Sequence, residues 1–267
     1  MVNKKRSITE LGNPGNPHGE AGAEMLAGMN ERHYEVTGWA LGFFDFANTD
    51  NVLDIGCGGG ETIRRMAEKV SCGRVVGVDH SELSVKISRE NNKEYIGNGR
   101  VEVMRASVEK LPFWNDSFDK IITVESFYFW PDPRENLKEV YRVLANKGKF
   151  LIVADINGDA ELDESDIEAI EKFSLFNPRL SELEALMNDA GFRNVVIHTV
   201  SGKKMGMCRR QQIINGYYFT LFNGGEIAGT FPKIRFSASK NSNSEDVSKL
   251  YIGTEDDIFN VITTDIL

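Results

Sequence analysis

Three acidic residues and a run of glycines define the first candidate site. They lie in Asn51 to Glu61, NVLDIGCGGGE, and in VVGVDHS, which ends the next apolar run. Glycine allows positive φ and lets a ligand touch the main chain. A helix beginning at Glu61 would turn free N–H groups toward anionic parts of that ligand. Asp54, two residues before Gly56, suits a cation. Asp79, about twenty residues past the glycines, is placed to accept from both hydroxyls of a ribose. The pattern asks for a small molecule with a sugar, a cationic end and close contact with bare backbone.

Two ligand classes compete for it. A dinucleotide site wants G-x-G-x-x-G. Read from Gly56, the sixth residue is Glu61; read from Gly58, Thr62 and Ile63 intervene and the pattern fails again. S-adenosylmethionine carries an ammonium and a sulfonium, and both suit Asp54. Asp79 serves either class, so Asp54 with G-x-G-G-G is what separates them.

The elements that must position these residues alternate. NVLDI, RVVGVD, RVEVMRA, FDKIITV, GKFLIVAD and NVVIHTV read as strands. Helices are expected over Glu61 to Lys69, Ser81 to Tyr95 with Ser81 as N-cap, Glu135 to Leu144, and Leu180 to Ala190 before Gly191. Strands of continuous apolar character alternating with helices predict a doubly wound, mostly parallel α/β sheet covered on both faces. Ligands in such sheets sit beyond the carboxyl ends of the strands. Before this unit comes helical material from about Gly19 to Phe46, introduced by Gly/Pro turns. The expected organisation is a helical lid over 1–48, a core over 49–204 and an atypical tail over 205–267.

The ordered motifs VLDIGCGGG, VVGVDHS, ASVEKLPFWNDSFDKIITVES and EVYRVLANKGKFLIV resemble those of class I S-adenosylmethionine-dependent methyltransferases, in the group similar to ubiquinone/menaquinone C-methyltransferases. The resemblance covers roughly Asn51 to Val200. It implies a Rossmann-like methyltransferase fold, S-adenosylmethionine as cofactor and a small-molecule methyl acceptor. It also implies roles by position. Asp54, Gly56, Cys57 and Gly58 line the methionine end, Asp79 holds the ribose, and His80 lies beside the adenine. Ser107, Val108 and Glu109 edge the adenine, and Glu125 with Ser126 faces the sulfonium. Ser107 stands where the family usually has Asp, and a hydroxyl accepts more weakly than a carboxylate.

Methyl transfer from a sulfonium is an in-line displacement, so the protein mainly aligns the nucleophile and excludes water. A base is needed only where the acceptor must lose a proton early. His33, on the N-terminal helical segment, is the candidate base or acceptor contact. His18 is a weaker one, and His198, in an apolar strand, reads as structural. In SFYFWPDP, Tyr128 or Trp130 is a candidate wall for an apolar acceptor.

Whole-chain composition narrows the partners. The 267 residues carry a net charge of -9 and a pI near 5.1. Such a balance disfavours nucleic acid and anionic membrane surfaces. Lys203, Lys204, Arg209 and Arg210 form the one dense basic cluster and read as a solvated turn. No apolar run approaches the roughly 20 residues of a membrane helix. Three scattered cysteines show no metal spacing, and with no secretory leader they point to a cytoplasmic protein. Two rival functions remain: a nicotinamide-dependent oxidoreductase, and a cofactor-binding protein without turnover.

The tail is the anomaly. In this family a final strand runs antiparallel beside NVVIHTV, yet here that place holds KKMGMCRRQQIING. One base out of frame, the degenerate codons of Met205 to Gln212 permit Trp-Val-Cys-Val-Val-Gly-Asn, an apolar strand. The chain after about Lys204 is therefore expected to be frameshift-derived and loosely attached, with the polar run SASKNSNSEDVS agreeing.

Overall fold

The computed structural model describes residues 11–160, 162, 164–200, 216–222 and 259–264. Two helices come first, α1 (Gly19–Arg32) and α2 (Tyr34–Ala40), followed by a 3-10 turn at Leu41–Phe43. The expected single helical stretch is thus broken at His33, whose φ and ψ of -87° and 0° turn the chain between the two.

Five parallel strands then alternate with helices: β1 (Asn51–Ile55), α3 (Glu61–Ala67), β2 (Arg74–Asp79), α4 (Glu82–Asn91), α5 (Lys93–Gly97), β3 (Val101–Arg105), β4 (Phe118–Val124), α6 (Pro133–Val143) and β5 (Leu144–Ala154). After them come α7 (Glu164–Phe173), α8 (Leu180–Ala190), β6 (Val196–Val200), β7 (Gly216–Phe222) and β8 (Phe259–Thr264). The sheet order is β3-β2-β1-β4-β5-β7-β6-β8. The order reverses between β1 and β4, which puts a crevice at the carboxyl end of β1, where the glycines lie. The fold is the doubly wound, Rossmann-like α/β architecture with preceding helices.

Local chemistry sets the helix starts. Ser81 Oγ accepts from Ser84 N–H at 3.3 Å and opens α4. Asp132 caps α6 through Glu135 N–H at 3.2 Å, and Pro133 takes the first helical position, where its missing N–H costs nothing. The predicted helix from Ser81 to Tyr95 is two helices. Asn92 ends the first, and its amide donates to Gly60 O and Ser88 O, both at 2.9 Å, tying the break to the glycine loop. Two apolar clusters cover the sheet. Leu137, Val140 and Val143 of α6 and Met187 of α8 pack on one face; Ile63 and Met66 of α3 with Ala40 and Leu41 pack on the other.

Three expectations need correction. A helix over Glu164–Phe173 was not anticipated. The sequence predicts seven strands, the six named above and one final antiparallel strand, whereas the sheet has eight among the described residues. The residues after Val200 are not without strand structure: β7 runs antiparallel between β5 and β6, and β8 runs antiparallel along β6. The antiparallel strand that the family places beside NVVIHTV, and that KKMGMCRRQQIING reads as too basic and polar to form, is Gly216–Phe222. Met205 to Ile214, the basic cluster and SASKNSNSEDVS lie outside the described residues.

Candidate cofactor and active site

The turn from β1 into α3 explains its own composition. Gly56, Gly58 and Gly60 all have positive φ (74°, 50° and 80°), where a side chain is strained. A Cβ at Gly56 would run into Ser126 Oγ, and one at Gly59 would strike the Asn30 amide of α1. At Gly58 a Cβ would make ordinary contact with Leu26, at 3.6 Å.

Two buried carboxylates flank the loop. Asp79, 8% exposed, accepts Gly58 N–H at 2.9 Å with one oxygen and Ser81 N–H at 2.8 Å with the other. Burial pushes its carboxyl up from the usual range, and those backbone bonds oppose the push. Asp54 is 1% exposed, and its Oδ2 has no hydrogen-bond partner among the described residues. Burial first, and the charge of Asp79 second, raise its pKa to about 8. An orphaned buried carboxylate at the mouth of a crevice is a costly feature that a cation would satisfy. Cys57, buried between them, has its thiol pushed up chiefly by burial, so it is not a ready nucleophile.

His33 and the eleven residues to which the resemblance gives cofactor roles line one cleft of about 290 Å³. His80 is half-exposed, its Nδ1 3.9 Å from Asp79 Oδ1. Ser107 Oγ donates to Glu109 Oε2 at 2.8 Å and accepts Glu109 N–H at 3.2 Å. The hydroxyl that replaces the family's Asp is therefore joined to a neighbouring carboxylate. Val108 is buried beside them. Glu125, 8% exposed and with φ of 50°, leaves the end of β4. His33 is half-buried; burial first, then the Arg32 guanidinium, pull its imidazole down to about 3, so it is neutral at neutral pH and a weak base. His18 is absent from the cleft lining. His198 is buried against Phe43, with ring centroids 4.3 Å apart.

The N-terminal segment roofs the cleft. Leu26, Met29, Asn30 and His33 lie along one face of α1 and its end, with three- and four-residue spacing that the sequence displayed. Gly15 sits so close to Phe129 that a Cβ would lie 2.6 Å from the ring. Phe129 and Trp130 line the cleft, whereas Tyr128 faces an adjoining cavity of about 570 Å³ and donates to Glu125 Oε2 at 2.8 Å. Sequence reasoning missed Asn30 and Phe129, which line the cleft; for Asn30 the helical spacing was the available signal.

Residues 53–152 match the family model described as "Methyltransferase domain". The glycine loop, Asp54, Asp79 and Glu125 all lie inside that matched stretch. It is 30% identical over 165 residues to "2-methyl-6-phytyl-1,4-hydroquinone methyltransferase 2, chloroplastic" of Oryza sativa subsp. japonica, over 62% of this chain and 45% of the relative. It is 28% identical over 190 residues to "Methyltransferase GfsG" of Streptomyces halstedii, over 69% of this chain and 64% of that one. The chain thus spans about half to two thirds of the length of these two curated relatives. The solved Haemonchus contortus phosphoethanolamine N-methyltransferase 2 in complex with S-adenosyl-L-methionine shares the fold, with a TM-score of 0.62 and 18% identity over 74% of this chain and 56% of that one. Neither a nicotinamide oxidoreductase nor a silent cofactor binder is favoured by these likenesses. Among the described residues no helix is long and apolar enough to cross a membrane, and no group of three or more His, Cys, Asp or Glu could hold a metal ion.

Proposed function

We propose that this chain transfers a methyl group to a small-molecule acceptor, with S-adenosylmethionine held in the cleft beneath α1. The observation that carries this reading is the orphaned Asp54 carboxylate in a cleft lined by the positive-φ glycines Gly56 and Gly58. Asp54, Gly56, Cys57 and Gly58 would hold the methionyl end, and Asp79 the ribose hydroxyls. His80 would lie beside the adenine, against the edge formed by Ser107, Val108 and Glu109. The cofactor supplies an activated methyl group on sulfur with a neutral thioether as leaving group.

The chain's own part is to bind, orient and exclude water. Asp54 offers its ionised carboxylate to an ammonium, which offsets the cost of its burial. Asp79 keeps lone pairs beyond its two backbone bonds for hydroxyl donors. Met29, Leu26, Phe129 and Trp130 bring apolar surface over the cleft and keep water from the nucleophile. His33, neutral there, contacts the acceptor as a hydrogen-bond partner. The apolar walls favour a ring-bearing or otherwise apolar acceptor, in keeping with the hydroquinone named for the rice relative.

Equilibrium titration with S-adenosylhomocysteine and with NAD tests the cofactor. Labelled S-adenosylmethionine with a panel of hydroquinones, phenols and amines tests transfer. Binding of the thioether but not NAD, and label on a panel member, is the expected result. NAD binding in preference would overturn the reading.

A further inference from the structure

β4 and β5 run parallel with Val124 opposite Val153, so the residues leaving their carboxyl ends, Glu125 and Asp155, are neighbours. Glu125 N–H donates to Val153 O at 2.8 Å, and Asp155 N–H reaches Glu125 Oε2 at 3.4 Å. Tyr128 donates its hydroxyl to that same oxygen at 2.8 Å. The Asp155 carboxyl is also near enough to act electrostatically on the Glu125 carboxyl. Two carboxylates this near repel when both are ionised, which favours one proton on the pair over none.

The surroundings favour one proton over none. Burial raises the Glu125 carboxyl well above its usual range and the charge of Asp155 adds to that; the Tyr128 hydroxyl and the Asp155 N–H pull the other way. Arg32, at the end of α1, is the facing cation and acts on Tyr128; His33 beside it is neutral. Glu125 also holds a φ of 50°, a strained setting for a side chain, while lining the cleft.

Resting on the methyltransferase reading above, we propose that Glu125 and Asp155 are a one-proton carboxyl pair that gives up its proton to solvent when a sulfonium cation occupies the cleft, and then takes the proton of a neutral O–H or N–H acceptor during transfer. The charges balance. With the sulfonium bound, the cleft holds one positive charge and two carboxylates. In transfer the acceptor atom bonds to the methyl carbon, the carbon–sulfur bond breaks with its electron pair remaining on sulfur, and the acceptor's proton goes to a Glu125 carboxylate oxygen. A neutral thioether and a one-proton pair remain, with the same net charge. Glu125 is then a catalytic residue, and Tyr128 is a positioning residue that tunes it.

Calorimetry of S-adenosylmethionine and S-adenosylhomocysteine binding, each in buffers of different ionisation enthalpy, tests this without a known acceptor. Both ligands carry the ammonium, so any proton lost at Asp54 cancels in the comparison. The sulfonium ligand should release more protons near neutral pH than the thioether. Glu125→Gln and Asp155→Asn should erase that difference while still binding S-adenosylhomocysteine. Tyr128→Phe should move its midpoint to higher pH, because the carboxylate loses a donor. Equal proton release by the two ligands in the unaltered protein would overturn the pair, with no variant needed. Failure of both ligands to bind would instead overturn the methyltransferase reading and the pair with it.

Discussion

Asp54 and Asp79 repel each other across the loop, and the protein tolerates this by giving them unequal company. Asp79 has two backbone donors, and Asp54 has an oxygen with none among the described residues. Replacing Asp79 with Ala should weaken S-adenosylhomocysteine binding by roughly 1.5–3 kcal/mol, the worth of charge-assisted bonds to hydroxyls. An unchanged calorimetric affinity would remove its role. Asp54 gives a pH signature. Its folded pKa of about 8 lies above the ordinary 3.8, so between those values the ligand-free fold holds a proton that the unfolded chain has lost. Stability from this group is therefore fully present below the lower value and falls as pH rises, by at most about 1.4 kcal/mol per pH unit. Binding of an ammonium wants the ionised form, so affinity should rise with pH up to about 8 and then level off. Asp54→Asn should bind more weakly and lose that slope. Titrations across this range decide it, and a flat wild-type profile would count against the assignment. Both acids were legible because an acid beside four glycines has few structural uses. Asp155 was not, because its pairing with Glu125 depends on β4 and β5 being neighbours, which is a matter of strand order.

The loop and α1 act as two jaws of the cleft. Gly58→Val should reduce cofactor affinity by an order of magnitude or more: φ of 50° strains a branched residue, and its methyl groups would fill the space toward Leu26. A folded variant with normal affinity, checked by circular dichroism and titration, would show that Gly58 is not a cofactor contact. On the other jaw, deleting Met1 to Gly28 removes the buried Met25 and Leu26 together with Gly15, which rests on Phe129. The core sheet should remain folded and bind S-adenosylhomocysteine weakly, with transfer nearly abolished because water enters the cleft. Full turnover in labelled-methyl assays would mean that α1 is not a lid. The helical character of this segment was readable from its spacing. Its break at His33 was not, since that turn is fixed by packing rather than by Gly or Pro.

At the scale of the whole molecule the open question is how the sheet is closed beyond β5. The run GYYFTLF is rich in aromatic residues that favour strands, and that signal was available. It was missed because it lacks polar alternation and follows a basic stretch. The structure puts its backbone beside β5, with Lys149 opposite Phe222 and Ala154 opposite Tyr217. Phe150, Leu151, Ile152 and Val153 between those points are fully buried. A chain ended after Lys204 would leave this apolar strand as a bare edge, with unpaired N–H and C=O groups along it. Such an edge recruits other strands. The truncated protein should therefore self-associate, seen as high-mass species in size-exclusion chromatography with light scattering, and its melting temperature should fall. A frameshift origin for the residues after Lys204 makes the opposite forecast: an added tail never selected for packing can be removed without harm. A monomeric truncated protein that melts where the full chain does would support that origin, and the nucleotide sequence around Lys204 would then carry the decisive record. Aggregation would instead show that β7 is an integral part of the sheet, whatever the history of its codons.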